Sequence, residues 1–214
     1  MPHVAVVIGG GELDPGAVAA LPADVVVIAA DSGLDHAVAA GLRPAVLVGD
    51  MDSISAAGRM WAYAHEVDTH EVSADKDLTD TELALALAVQ VDDVDQVTVL
   101  GGTGDRLDHL LGTLLALGSP SLALLDGLTA FLGDTQFAVV HAGRQAAVKV
   151  GEGGTFSVLA LHGAASGVTV RGARWELDDA DLGGTEARGV SNEAKEDWVV
   201  VSTKQGVVTV VVPS

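Results

Sequence analysis

The first 130 residues alternate short apolar runs with helical segments, and this alternation restricts the possible fold more than any other feature. The apolar runs are Val4–Gly9, Val25–Ala30, Ala45–Val48, Gln96–Leu100 and Leu122–Leu125. They are short and mostly continuous, as is typical of strands buried on both faces of a sheet. Strands that alternate with helices predict an α/β domain with a doubly wound, mainly parallel sheet.

The segments between these runs carry recognisable helix ends. Ser32 is a candidate N-cap for a helix that ends before Gly41. Thr79 and Glu82 match a capping box, and Asp105 is a candidate cap for a later helix. Each predicted helix therefore falls between two predicted strands.

The pattern changes near Phe131, after which no helical periodicity is found. Short runs rich in Val and Thr are separated by Gly-rich turns: Phe137–His141, Ala146–Val150, Thr155–Leu161, Val168–Arg171, Trp198–Ser202 and Val207–Val212. Such a pattern predicts an antiparallel β-sandwich. We therefore expect an α/β domain over residues 1–130 and a β-sandwich domain over residues 131–214.

The charge of the chain excludes two classes of partner. With 11 Lys and Arg against 30 Asp and Glu, the formal net charge is −19, so neither nucleic acid nor an anionic membrane surface is an expected partner. The apolar runs are much shorter than the roughly 20 residues that cross a bilayer. Without Cys there are no disulfides, and without a basic start there is no recognisable secretion signal. We expect a cytoplasmic protein.

Four loops rich in aspartate follow the apolar runs or open the helices. They are Ala30–Gly33, Gly49–Ser53, Asp75–Asp80 and Gly101–His109. In an open α/β sheet, the loops at the carboxyl ends of the strands converge on one crevice. Carboxylates that converge there with Lys76 and Arg106 would be able to hold Mg²⁺ and a polyphosphate. The sequence therefore predicts phosphoryl-type transfer.

Asp50 and Asp52 are the first candidates for a metal pair. In an extended segment the two carboxylates would face the same side, and hard oxygen ligands suit Mg²⁺. The alternative is a turn in which Asp50 bonds its own backbone and Ser53 caps a helix near Ala56. Asp80 is the third candidate, although a helix start stabilises an aspartate in any case.

The basic and glycine-rich positions each have two interpretations. Lys76 would neutralise transferring phosphate, or it is a surface lysine paired with acids. The backbone N–H groups of Gly101–Gly104 would bind phosphate ahead of a helix. Arg106 would clamp a phosphate, or it forms a buried pair with Asp108. Gly9–Gly11 fails the dinucleotide-binding spacing and indicates only a tight turn near the expected nucleotide.

Three positions of the β-rich part also stand out. Trp175 would be able to stack on a flat cationic ring, but composition alone favours a place in the sandwich core. Ser191 and Asn192 form a polar pair between β-like runs.

Taken in chain order, these motifs resemble the thiamine pyrophosphokinase family. The resemblance is carried by Asp31–Gly33, Gly49–Ser53, Lys76–Asp80, Gly101–His109, Thr155–Ser157, Gly172–Trp175 and Ser191–Asn192. It implies an α/β catalytic domain, a β-sandwich domain and a homodimer with thiamine near the subunit interface. It also implies transfer of the pyrophosphoryl group of ATP to the hydroxyl of thiamine, which gives thiamine diphosphate and AMP.

The resemblance implies a role for each matched position. The implied Mg²⁺ ligands are Asp50, Asp52 and Asp80. The implied catalytic group is Asp50, Asp52, Lys76, Asp80 and Arg106. The positions implied around ATP are Asp31, Asp77, Thr79, Arg106 and Asp108. The positions implied around thiamine are Trp175, Ser191 and Asn192.

Two departures and three rival interpretations accompany this resemblance. Ser32–Asp35 stands where the family often has Gly-Gly-Ala-Asn, and Gly112 stands where an Asn is common. The rivals are a pterin pyrophosphokinase of similar fold, a non-catalytic nucleotide-binding module and a nucleotide hydrolase. Release of AMP, and its dependence on thiamine or on a pterin, would separate them.

Overall fold

The computed structural model describes residues 2–73, 75–104 and 106–214. Contacts divide the chain into two units: Met1–Ala116 with Phe131–Gly133, and Leu117–Ala130 with Asp134–Ser214. Asp105, the expected helix cap, lies outside the described residues. Among the described residues, no helix combines the length and apolar character that a membrane span needs.

The first unit contains a parallel sheet. Its strands are β1 (His3–Val7), β2 (Val26–Ala30), β3 (Val46–Gly49), β4 (Asp68–Glu71) and β5 (Gln96–Gly101). They lie in the order β5-β1-β2-β3-β4, and every neighbouring pair is parallel. The helices are α1 (Pro15–Ala19), α2 (Gly33–Ala39), α3 (Ala56–Ala64), α4 (Asp80–Ala88) and α5 (Leu107–Ala116). The predicted α/β class is confirmed.

The central strands of this sheet are buried on both faces. Val4 and Val6 point to one face of β1 and Ala5 and Val7 to the other, and all four are 0% exposed. Helices α1 and α2 contribute to a core with Ala5 and Val7, while α4 packs against β1, β2 and β3. Burial on both sides explains why these strands are continuous apolar runs.

Helix ends follow the sequence in one case and depart from it in another. At α4 the capping box forms, because Thr79 Oγ1 accepts the Glu82 N–H while Glu82 Oε2 accepts the Thr79 N–H. At α2, Ser32 occupies the expected N-cap position, but it already has helical backbone angles and its side chain makes no capping hydrogen bond.

Two strand predictions need correction. The run Leu122–Leu125 is not a strand, because a 3₁₀ turn occupies Pro120–Leu122 and a strand begins only at Gly127 (β6, Gly127–Leu132). Conversely, β4 has the sequence Asp-Thr-His-Glu and is exposed at every position. It is an edge strand without an apolar face, so hydrophobic periodicity gives no signal for it.

The second unit contains two antiparallel sheets. The remaining strands are β7 (Thr135–Val140), β8 (Gln145–Lys149), β9 (Thr155–Leu159), β10 (Ala165–Arg171), β11 (Leu177–Leu182), β12 (Asn192–Glu193), β13 (Trp198–Ser202) and β14 (Val208–Val212). One sheet has the order β12-β9-β14-β7, and the other has the order β11-β10-β13-β8. Phe156, Val170, Val201 and Val210 come from both sheets and share one core, as the predicted sandwich requires.

Two histidines in this unit lie partly or wholly out of water: His141 is buried and His162 is half-buried. Burial lowers the pKa of His141, opposed by the Leu117 carbonyl that lies 3.2 Å from its Nε2 atom. Burial also lowers the pKa of His162, and the neighbouring His141 lowers it further. His162 packs so closely on Gly118 that a Cβ there would lie 2.1 Å from its Nδ1 atom. Both rings are therefore neutral in the folded protein near pH 7.

These lowered pKa values predict loss of stability in weak acid. Below about pH 6.5 these two histidines bind protons more readily in the unfolded chain than in the folded protein. The free energy of unfolding should therefore fall as pH drops from 7 toward 5, by up to about 1.4 kcal/mol per pH unit for each histidine. Urea titrations at several pH values measure this slope. In a His141→Gln, His162→Gln double variant the slope should flatten, and an unchanged slope would contradict the assignment.

Candidate active site

A cavity of about 760 Å³ opens at the carboxyl ends of the parallel strands. Strand β1 pairs with β2 on one side and with β5 on the other, so the order of the strands reverses at β1. A crevice at such a reversal is the usual binding place in open α/β sheets. The loops that follow β1 and β5, Ile8–Gly10 and Gly102–Gly104, line the cavity.

These two loops touch through their backbones. A Cβ at Gly102 would lie 2.0 Å from the Gly10 carbonyl oxygen, and that oxygen accepts the Gly104 N–H at 2.7 Å. The tight turn predicted at Gly9–Gly11 thus forms a wall of the cavity together with the second loop. Because the Gly104 N–H already has a partner, it is not available to a phosphate.

Asp31 reaches the cavity from the end of β2. Its N–H donates to the Val48 carbonyl at 2.8 Å, which continues the parallel pairing of β2 with β3. It then turns into the left-handed region, with φ of 46°. Gly49 makes room for this turn, since a Cβ there would lie 3.0 Å from the Asp31 Cβ. The register of the two strands therefore brings Asp31 beside the Gly49–Ser53 loop.

Asp31, Asp50 and Asp52 form an acidic group. One carboxylate oxygen from each lies within 4.8 Å of the other two, and among the described residues this is the one such group of three. The segment is not extended, because Met51 has φ of 64° and the Asp52 N–H donates to Asp50 Oδ1 at 3.2 Å. The alternative turn is thus the observed geometry, and it still brings the carboxylates together.

The loop that carries Asp50 and Asp52 is anchored by residues that sequence reasoning missed. Ser55, not Ser53, caps α3, and its N–H and Oγ both donate to the carboxylate of Asp35 on α2 at 2.8 and 2.6 Å. Arg59 donates to the carbonyl groups of Met51 and Ile54. No local pattern signals these contacts, because they join separate helices to one loop.

The surroundings of Asp31 would be stabilised by a bound cation. It is 9% exposed, and its buried Oδ1 has no hydrogen-bond partner. Burial raises the pKa of Asp31, and the charges of Asp80 and Asp50 raise it further, whereas the Ser53 hydroxyl and the Ser32 N–H oppose the shift. The single hydroxyl proton of Ser53 is shared with Asp52 Oδ1, 2.8 Å away. Three clustered carboxylates, one of which has a buried oxygen without a hydrogen-bond partner, are suitable ligands for Mg²⁺.

Lys76 and Asp80 face each other on the same cavity. Lys76 Nζ lies 3.1 Å from Asp80 Oδ1, and the two side chains are 18% and 27% exposed. The buried Asp80 Oδ1 has no other polar partner. Asp80, the expected third Mg²⁺ ligand, therefore lies outside the acidic group and is paired with the lysine. Thr79 also lines the cavity, whereas Asp77 is exposed and does not line it.

Arg106 and Asp108 pair with each other at the cavity wall. Arg106 donates from Nε and Nη2 to the two carboxylate oxygens at 3.1 and 2.6 Å. This hydrogen bonding lowers the pKa of Asp108 to about 2 and raises that of Arg106. Both side chains are exposed, so the alternative of a buried Arg106–Asp108 pair is wrong. The guanidinium is therefore accessible to a ligand.

The second unit has its own cavity, of about 650 Å³. Trp175, Ser191 and Asn192, the three positions implied around thiamine, all line it. The expectation that Trp175 fills the sandwich core is wrong, because this side chain is 56% exposed. Asn192 is buried, and it holds the Trp175 backbone at both its N–H and its carbonyl.

Comparison with known protein families gives two matches along this chain. The family model described as "Thiamin pyrophosphokinase, catalytic domain" matches residues 20–122. The model described as "Thiamin pyrophosphokinase, vitamin B1 binding domain" matches residues 144–208, so that the two matches together cover more than half of the chain. The chain belongs to the thiamin pyrophosphokinase family. The resemblance found in the sequence motifs is confirmed.

Individual members of the thiamin pyrophosphokinase family agree with this assignment. A thiamine pyrophosphokinase from Bacillus subtilis is 36% identical over 90 residues, which span 42% of this chain and 42% of that relative. The crystal structure of a thiamine pyrophosphokinase from the same species has a TM-score of 0.82 at 21% identity, with 99% of each chain covered. The structure of a family protein from Enterococcus faecalis has a TM-score of 0.76 at 23% identity, with coverage of 100% and 99%. These structures support the fold.

Proposed function

We propose that this chain is an ATP-dependent thiamine pyrophosphokinase, which transfers the pyrophosphoryl group of ATP to the hydroxyl of thiamine and releases AMP. The observation that carries the proposal is the acidic group of Asp31, Asp50 and Asp52, whose member Asp31 lines the same cavity as Lys76 and Arg106 in the family's catalytic domain. The match to a vitamin B1 binding domain favours thiamine over a pterin as the acceptor.

Mg²⁺ would be held by the acidic group. We propose Asp31, Asp50 and Asp52 as its ligands, with Asp80 as a near neighbour whose charge is felt at Asp31. A divalent cation bound there would neutralise negative charge on the polyphosphate oxygens. The protein contributes a prearranged set of carboxylates, fixed by the β2–β3 register and by the Asp35 and Arg59 anchors.

The cationic side chains would position the triphosphate. Phosphoryl-type transfer has a loose transition state, so positioning and charge neutralisation supply most of the catalysis. Lys76 is held at the cavity by Asp80 and would bind the transferring group as a point charge. Arg106 would leave Asp108 for a phosphate, because its present pair is exposed and a guanidinium binds carboxylate and phosphate in the same bidentate way. Asp31, Thr79 and Asp108 line this cavity and remain the proposed surroundings of ATP, whereas Asp77 lies outside its lining.

The second cavity would bind thiamine. Its exposed Trp175 offers a ring face to a flat cation, while Ser191 and Asn192 offer polar groups at the same wall. We propose residues 1–130 as the ATP- and Mg²⁺-binding domain and residues 131–214 as the thiamine-binding domain. The enzyme would act in the cytoplasm, where its phosphoryl donor is available.

The test is an incubation with Mg·ATP in the presence and absence of thiamine. Chromatography should show AMP and thiamine diphosphate in equal amounts, and only when thiamine is present. Asp52→Asn should reduce both products strongly. The matched change Asp92→Asn should not, because Asp92 is exposed and belongs neither to the acidic group nor to the cavity lining. ADP as the main product, AMP without thiamine, or saturation by a pterin instead would each reject the proposal.

We also propose that the chain forms a homodimer. Support comes from α5, on which Leu107, Leu111 and Leu115 are 67%, 51% and 65% exposed. Their spacing of four residues places them on one side of the helix. Residues 110–125 contain no charged side chain, which matters in a chain of charge −19, since two copies repel each other elsewhere. An uncharged leucine face is suited to contact with another copy.

A change on this face should therefore alter the oligomeric state. Leu111→Glu with Leu115→Glu places two like charges opposite their symmetry copies, so the dimer should dissociate. Light scattering after gel filtration distinguishes one chain of 21.6 kDa from two. Met60→Glu, at an exposed apolar position on α3, is the matched control and should leave the mass unchanged. A dimer that persists in the leucine variant would place its interface elsewhere.

A further inference from the structure

The backbone at Trp175 is held rigidly while its indole ring is exposed. Asn192 Oδ1 accepts the Trp175 N–H at 3.2 Å, and Asn192 Nδ2 donates to the Trp175 carbonyl at 2.8 Å. The preceding N–H, of Arg174, donates to the Glu193 carbonyl at 2.8 Å. A large exposed aromatic side chain on a fixed backbone is a preformed surface for a ligand.

One face of this ring is already in contact with a cation from the protein itself. The guanidinium carbon of Arg174 lies 4.8 Å from the centroid of the Trp175 ring, within the range of a cation–π interaction. At the same time Arg174 Nη1 lies 3.1 Å from Glu193 Oε2. The guanidinium therefore has two partners, the ring face and the carboxylate.

We propose that Arg174 competes with the acceptor for the face of Trp175 and so sets the affinity of this cavity for a stacked ring. This inference rests on the proposed function, because it concerns how the same cavity binds a thiamine-like ring. A flat cationic ring displaces the guanidinium and makes the same type of contact in its place. Glu193 retains the displaced guanidinium. An uncharged ring of the same shape loses the electrostatic part of the contact, so it binds more weakly, although it displaces the same guanidinium.

The geometry makes Arg174 different from the other cation of this cavity. Arg188 also lines the cavity, but the cation–π contact with Trp175 is made by Arg174. Removal of either arginine takes one positive charge from the cavity wall and should favour a cationic ligand in general. Only removal of Arg174 also frees the ring face. Comparison of the two variants thus separates competition at the ring from simple electrostatics.

The experiment measures dissociation constants by calorimetry for thiamine and for its uncharged thiophene analogue. In Arg174→Ala the Kd of thiamine should fall about two- to fivefold further than in Arg188→Ala, as expected for an exposed cation–π contact. The Kd of the uncharged analogue should fall by the same extra factor, because both rings displace the same guanidinium contact. With Trp175→Leu as the background, Arg174→Ala and Arg188→Ala should have the same effect.

A change at Glu193 should act in the opposite direction. Glu193→Gln leaves the displaced guanidinium without its carboxylate, so the Kd of thiamine should rise, and this rise should shrink when Arg174 is also replaced by Ala. An unchanged or higher Kd of thiamine in Arg174→Ala, or an extra gain over Arg188→Ala that is confined to thiamine, would overturn the proposal. If the wild type binds and converts thiamine but lacks these shifts, this inference alone fails. If the wild type does not bind thiamine, the proposed function fails with it.

Discussion

Asp31→Asn should abolish most activity while making the folded protein more stable. The substitution removes one ligand of the proposed metal site, and we expect turnover to fall at least about 100-fold, the scale of losing one preorganised charged group. The same change removes the buried negative charge of Asp31, which the nearby carboxylates of Asp80 and Asp50 repel. We expect a gain of about 1 kcal/mol in unfolding free energy, which raises Tm by about 2–4 °C in a chain of this size. Asn accepts the left-handed backbone of this position.

The two effects are separable by a matched variant and by Mg²⁺. Asp52→Asn removes the exposed member of the same group, so it should lose activity without the gain in Tm. Mg²⁺ should raise the Tm of the wild type, because a ligand stabilises the state that binds it, and it should raise that of Asp31→Asn much less. Full activity in Asp31→Asn, or an equal Mg²⁺ shift in both proteins, would rule out Asp31 as a ligand.

Lys76→Ala should lower both turnover and stability. The lysine is the partner of the buried Asp80 Oδ1, and its removal leaves a carboxylate uncompensated near Asp31. We expect the free energy of unfolding to fall by about 1–3 kcal/mol. Turnover should fall about 100- to 1,000-fold, because a charge that faces the transferring group is lost. Steady-state assays and urea unfolding measure the two quantities on the same preparation.

A double variant distinguishes the structural from the catalytic contribution of Lys76. Lys76→Met combined with Asp80→Asn removes both charges of the pair, so stability should return toward that of the wild type while activity stays low. Lys76→Arg keeps the positive charge and should retain part of both. If Lys76→Met with Asp80→Asn recovered activity together with stability, Lys76 would be a structural residue only.

The strands of the α/β unit were predictable because they are buried on both faces. Continuous apolar runs mark β1, β2, β3 and β5, and the capping box marks α4. The exposed edge strand β4 has no apolar signal. The run at Leu122–Leu125 predicts a strand that does not form. Leu122 and Leu125 pack inward from a turn, whereas Leu124 is exposed.

The candidate site was predictable in its location but not in its pairings. That loops at the carboxyl ends of the strands meet follows from topology, so a cavity lined by Asp31, Lys76, Asp80 and Arg106 is consistent with the sequence. Which carboxylates come within 4.8 Å depends on the β2–β3 register and on a left-handed residue in each loop. These are long-range properties that local motifs do not contain.

The exposure of Trp175 shows a second limit of sequence reasoning. An aromatic residue in a chain with few aromatics is assigned to the core by composition alone. Here the sandwich core is filled by Val, Ala and Phe156, and Asn192 holds Trp175 at the surface through its backbone. The hydrogen bonds of a buried amide, not hydrophobicity, decide where this ring lies.

The backbone contact between Gly10 and Gly102 limits how such an enzyme can diversify. Any side chain at Gly102 would collide with the neighbouring carbonyl, so this position cannot supply a new contact to a base or sugar. A change in nucleotide preference, by evolution or by design, would have to come from other side chains that line the cavity, such as Leu78, Thr81 and Thr113.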